Sequence, residues 1–200
     1  FATKGAKMRN LTNDLWDDVQ PAFVTGGQKR GVMFLSNRPK ANMNVPSVVN
    51  ELPTGPMNVF FYNTTTKSPK LFQCSDVGIQ TTITQPIQYG PDNFAYITDE
   101  GGVRNKYVVV FGRNKQNKDS AFWVPATNLS HSLNSHQYNP AGDIVADVIQ
   151  QDGFYNVYVK SLEIPGTKNP ISTVQKAILV EDEHNRVGIS LVEDVKNKKS

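Results

Sequence analysis

At 200 residues, 38% of them hydrophobic and 10% aromatic, the chain can bury one sizeable core or two small ones, which excludes a disordered polypeptide. Its net charge is only +3, and its one basic-looking run, Lys196 to Lys199, carries no interleaved aromatics on which bases could stack, so no nucleic-acid partner is expected. The longest apolar runs, such as Val108 to Phe111, fall far short of the ~18 residues that a helical membrane span needs.

Helix-favouring Ala, Leu and Glu are sparse, while Val, Ile, Thr, Tyr and Phe recur in short runs punctuated by Gly, Pro, Asn and Asp, so the chain reads as all-β. In chain order, Lys7 to Asp14 reads as an outer strand running into a connection. Leu11 to Val19 also allows a helix, because Leu11, Leu15, Trp16 and Val19 share one helical face. A first repeat then runs from Asp17-Asp18-Val19-Gln20-Pro21-Ala22-Phe23 through a turn at Gly26-Gly27 to a strand at Gly31–Leu35 and a polar stop at Ser36-Asn37-Arg38-Pro39. After a Pro- and Asn-rich insertion from Pro39 to Pro56, strands follow at Asn58–Tyr62 and Lys70–Cys74.

The second repeat opens at Thr84-Gln85-Pro86, turns at Gly90-Pro91-Asp92, continues through Phe94–Ile97 to the stop Thr98–Gly102, and adds strands at Lys106–Phe111 and near Ala121–Val124. A third opens at Gln137–Ala141 and turns at Gly142-Asp143. It supplies strands at Ile144–Val148 and Phe154–Val159 on either side of Gln150–Gly153. The prolines at positions 21, 86 and 140 recur at intervals longer than the ~40–50 residues of common propeller repeats, which implies insertions in the loops. Beyond Pro170, Val174–Glu183 and Arg186–Val192 read as a hairpin turning at His184-Asn185. Each repeat thus predicts about four short strands in a small antiparallel sheet, which cannot bury both faces unless it stacks on its neighbours.

The segments Gln20–Phe23, Val32–Arg38 and Asn58–Tyr62 together resemble the TolB-like (WD40-like) β-propeller repeat, and Leu11–Asp14 looks like its blade-closing tag. Phe94–Tyr107 followed by Val124–Asn128 is similar to the version found in large envelope proteins of Bacteroidetes-type bacteria, whereas the third repeat departs, with Asp147–Gln150 in place of the Ser-Asn-Arg stop. The resemblance covers roughly residues 7 to 165. It implies the end of a preceding blade at 1–16 and blades at 17–83, 84–133 and 134–170, with the hairpin at 171–200 completing a blade or beginning another. It also implies a non-catalytic, protein-binding scaffold that is periplasmic or outer-membrane-associated, with no cofactor. Its partners would be other envelope proteins or further blades, since about three blades are too few to close a ring. Any signal peptide is expected upstream of Phe1 or already removed.

The residues themselves offer little chemistry. Cys74 is alone and lies in the apolar run Leu71–Cys74, so it reads as a small buried hydrophobe. His131 and His136 are spaced for neither one helical face nor one strand face, and His184 lies in a charged turn, so no metal site is expected. Asp17-Asp18 and Asp99-Glu100 are sequence neighbours that point apart in a strand and read as turn and cap residues. Asn10, Asn63 and Asn128 begin Asn-X-Ser/Thr triplets of the kind that arise by chance in so Asn-rich a chain. No nucleophile elbow, phosphate loop or dinucleotide fingerprint occurs. Binding is expected at the loops, with Asn37, Arg38, Asp99, Glu100 and Arg104 as the contact residues. Two other readings keep the same strands: the propeller of a peptidase whose hydrolase domain lies outside this chain, and a β-sandwich of carbohydrate-binding or capsid jelly-roll type.

Overall fold

A computed structural model describes residues 10–39, 41–43, 54–66 and 68–164, together with the backbone of two strands at 177–181 and 187–191. The described residues contain no helix, and the segment from Leu11 to Asp17 is a series of bends that neither the strand nor the helix reading anticipates. The first sheet is a four-stranded antiparallel meander of β1 (Asp18–Val24), β2 (Gly31–Ser36), β3 (Asn58–Asn63) and β4 (Phe72–Gln73). The second repeats that order with β5 (Ile83–Gln88), β6 (Asn93–Thr98), β7 (Asn105–Arg113) and β8 (Asp119–Pro125). The third has three strands, β9 (Leu133–Asn139), β10 (Ile144–Gln151) and β11 (Phe154–Ser161). A separate hairpin pairs β12 (Ala177–Glu181) with β13 (Val187–Leu191), and its expected turn at His184-Asn185 lies outside the described residues. None of these sheets closes on itself.

The period-2 alternation of the central strands decides how the sheets stack. On one face of β6 and β7, Phe94, Tyr96, Tyr107 and Val109 meet Met33, Leu35, Val59, Phe61 and Cys74 of the first sheet. On the other face, Ala95 and Val108 meet Val145 of the third sheet, with Tyr89, Tyr138 and Leu162 filling in around them. The far side of the first sheet is covered by its own chain, where Leu11, Ala41 and Met43 close over Phe34, Phe60 and Tyr62. Gly31 is required at the start of β2, because a Cβ there would fall onto the Tyr62 carbonyl oxygen and within 2.8 Å of the Phe61 ring.

The first strands of the three sheets, β1, β5 and β9, lie side by side. In β1 and β5 the register slips between Val19 and Ala22 and between Thr84 and Ile87, at the two Gln-Pro pairs. Proline has no N–H to give to the ladder, so a bulge is where a strand tolerates it. The glutamine before each proline takes a left-handed backbone, with φ of 50° at Gln20 and 52° at Gln85, a conformation that costs roughly 1–2 kcal/mol for a residue with a Cβ. Hydrogen bonds between the sheets offset that strain. The Gln85 backbone N–H donates to Oε1 of Gln20 at 2.7 Å, and the His136 N–H donates to Oε1 of Gln85 at 3.2 Å. The third sheet departs from this pattern. Its register slips at the start of β9, and Pro140 falls in the turn before β10, not in a bulge.

Candidate functional site

The expected contact residues divide into two groups. Asn37 and Arg38 are buried, with 5% and 3% of their surface exposed. The Arg38 guanidinium bridges Asp14 at 3.2 Å and Asp18 at 2.8 Å, donates to the Asn42 carbonyl at 3.0 Å, and lies over the rings of Phe34 and Phe60. Asn37 exchanges hydrogen bonds with the backbone and carboxylate of Asp17, both at 3.0 Å. These two residues tie the bends at 11–17 and the loop at 41–43 to the end of β2. On the second sheet, Asp99 accepts from the Thr82 N–H at 2.6 Å and Arg104 donates to the Thr84 hydroxyl at 2.8 Å, which joins β5 to the end of β6 in the same manner. Glu100 stays exposed. The structure therefore gathers four of the five residues into the ends of their own sheets.

A second device recurs at the third strands. The Asn58 side-chain carbonyl accepts from the Ser75 hydroxyl at 2.8 Å and the Val77 N–H at 3.0 Å; that of Asn105 accepts from the Thr127 hydroxyl at 2.9 Å and the Leu129 N–H at 2.8 Å. Each clasp anchors the chain leaving the outer strand back onto the sheet interior, and all the donors concerned are buried or nearly so. The signal was present in Asn58-Val59 against Asn105-Lys106 and in Ser75-Asp76-Val77 against Thr127-Asn128-Leu129.

The densest chemistry lies between the second and third sheets. Lys106 on β7 is completely buried, and its ammonium donates to Asp147 on β10 at 2.5 Å, with Lys160 at 3.8 Å from the other carboxylate oxygen. The same ammonium sits 5.0 Å from the centre of the Tyr89 ring. Next to them His136, the register partner of Asp147, is 1% exposed and places Nε2 2.8 Å from the Gln85 carbonyl oxygen. Burial lowers the Lys106 pKa, a shift the Asp147 hydrogen bond opposes. Burial also pushes His136 down to about 4, so the ring is neutral at ordinary pH, and pushes the Tyr89 hydroxyl up to about 12 with help from Asp147. The paired lysine and the neutral histidine are both enclosed, and they tie the second sheet to the third. Pattern reasoning passed over this cluster, although a lone Lys in Asn105–Phe111 and a lone Asp in Ile144–Ile149 are each a charge inside an otherwise apolar strand.

The remaining candidates are placed apart. The His131 ring nitrogen lies 3.0 Å from the Ser130 hydroxyl and does not meet the enclosed His136. Cys74 is fully buried in the core between the first two sheets, and burial pushes its thiol up, so it stays protonated.

Two surface features of the described residues stand out. One is a groove of about 810 Å³ between the outer strands of the first and second sheets. The other is β11, whose eight residues are all exposed, with Phe154 at 72%, Val157 at 68% and Val159 at 67%. Among the described residues no strand pairs with its outer edge, which runs without a proline or a bulge and carries one charge, Lys160, so it lacks the devices that normally blunt the edge of a sheet. Compared with known proteins, the chain matches no family model and no curated protein.

Proposed function

We propose that this chain is a non-catalytic, protein-binding scaffold, built as consecutive blades of an incomplete TolB-like β-propeller and working in the bacterial periplasm or at the outer membrane. The observation that carries the binding role is β11, an eight-residue, largely apolar strand beyond which no strand of its sheet lies among the described residues. Water solvates its free N–H and C=O groups poorly among so many apolar side chains, so a partner strand or a further sheet gains both hydrogen bonds and buried area by docking there. The propeller reading draws on the recurrence of one meander order, with first strands adjacent and matching clasps at Asn58 and Asn105. The compartment rests on the sequence resemblance alone.

The test is site-specific photo-cross-linking in cells, with a benzophenone amino acid at Tyr155 on β11 and, as a control, at Ser130, which is exposed and lies outside both β11 and the groove. The expected result is a discrete adduct from Tyr155 that fractionates with the envelope and disappears when Val157→Asp breaks the strand surface. Adducts found only in the cytosol, or none from Tyr155 beyond the control, would sink the proposal. A parent reading frame that encodes a serine hydrolase domain would move the protein to the peptidase reading.

A further inference from the structure

The groove between the first two sheets has a wall and a charge that together specify a ligand. β8 is the last strand of its sheet, so one of its edges has no strand partner among the described residues, whereas its neighbour in the first sheet, β4, is only two residues long. The groove opens along that edge, between Phe72 on one side and Ala121 and Trp123 on the other. Four cations line it, Lys29, Lys70, Arg113 and Lys118, against two carboxylates, Asp76 and Asp119. Arg113 and Asp119 form an exposed ion pair at 3.9 Å, and Arg113 also donates to the Asn117 side-chain carbonyl at 3.1 Å. Among the described residues, Lys29, Lys70 and Lys118 enter no ion pair, and the Lys29 ammonium lies over the rings of Phe72 and Phe111 at 5.6 and 5.1 Å.

From this arrangement we infer that the groove binds an extended acidic peptide, added as a strand along the free edge of β8. The main-chain ladder would supply affinity, the lysines would select carboxylates on alternate residues, and Phe72 and Trp123 would receive the apolar residues between them. A polyanion without amides satisfies the lysines but leaves the β8 edge unpaired, which is why a peptide is favoured over an anionic polysaccharide. The inference rests on the scaffold reading for taking the ligand to be a protein, and the β11 cross-links are read out independently of it.

The experiment uses the full chain and a fluorescein-labelled hexapeptide of alternating Glu and Val, followed by anisotropy at low and high salt. The expected result is saturable binding that weakens with salt, is absent for the Lys/Val counterpart, and drops about tenfold or more when both exposed lysines are reversed in K70E/K118E. N-methylation of alternate amides should cost a similar factor, because it removes ladder donors. Trp123→Phe should remove any change in tryptophan fluorescence on binding. Equal affinity for the Lys/Val peptide overturns the inference, as does no binding at all. Full binding by a K70E/K118E protein with an unchanged melting curve overturns it too. Competition by polygalacturonate combined with indifference to N-methylation would assign the groove to a polysaccharide instead.

Discussion

The two interfaces between sheets are built from opposite materials. Between the first and second sheets the heart of the contact is aromatic, Phe61, Phe94 and Phe111 packing with ring centres 4.9 to 5.9 Å apart around Met33, Leu35 and Val109, with hydrogen bonds between neutral groups such as Gln85 and Gln20 at its margin. Between the second and third, a small apolar patch at Ala95, Val108 and Val145 shares the contact with the Lys106–Asp147 pair and the enclosed His136. Apolar contact is indifferent to orientation and pH, whereas a buried ion pair contributes only in one arrangement and costs heavily when half of it is removed. The first interface supplies adhesion, and the second fixes which sheet sits where.

That contrast can be broken from either side. Phe61→Ala should destabilise by about 3–5 kcal/mol in urea unfolding, through lost burial and the cavity left among the rings, and by the same amount at pH 5 and pH 8. Asp147→Ala should cost a comparable ~3–5 kcal/mol by stranding the Lys106 ammonium in the interior, whereas K106M/D147L should recover most of it. If the double variant is as unstable as the single, the pair is not the source of the effect.

The pH dependence sharpens the difference. His136 is held neutral down to about 4 in the folded chain, while in the unfolded chain it takes up its proton near 6.5. Between those values the unfolded state binds more protons, so stability is full above pH 6.5 and falls as pH drops toward 4, by roughly 3 kcal/mol from this group. Urea titrations from pH 7.5 to 4.5 should show that slope in the native sequence and lose most of it in His136→Gln. An equal slope in the variant would assign the effect to carboxylates elsewhere. The smallest effect is expected at the surface pair Arg113–Asp119, whose side chains are about two-thirds exposed: Arg113→Ala should change stability by less than about 1 kcal/mol.

Much of this architecture was legible because strands announce themselves locally. Phe94–Ile97, Lys106–Phe111 and Phe154–Val159 are β-branched and aromatic runs bounded by turn residues, and each lies within a strand. Boundaries were less legible. The strand read at Lys70–Cys74 shrinks to Phe72–Gln73, since only Phe72 and Gln73 find register partners on β3, and β9 begins at Leu133, ahead of the expected Gln137. The link between β10 and β11 contracts to Asp152 and Gly153, both with positive φ, the tight hairpin that an Asp-Gly pair favours.

The sites were harder to read than the strands, and Arg38 shows why. In the sequence it stands in a polar stop beside a proline and looks like a loop cation, yet it is buried because Asp14 and Asp18, distant in the chain, supply its counter-charges. Lys106 and Asp147 likewise look like isolated charges until two sheets bring them into contact. By itself the sequence determined the all-β character, the repeat and most strand cores, since alternation and turn chemistry act within a few residues of each other. Only the tertiary structure decided which charges are buried partners and which edges are left open, because burial and pairing depend on residues that the chain brings together from 20 to 41 positions away.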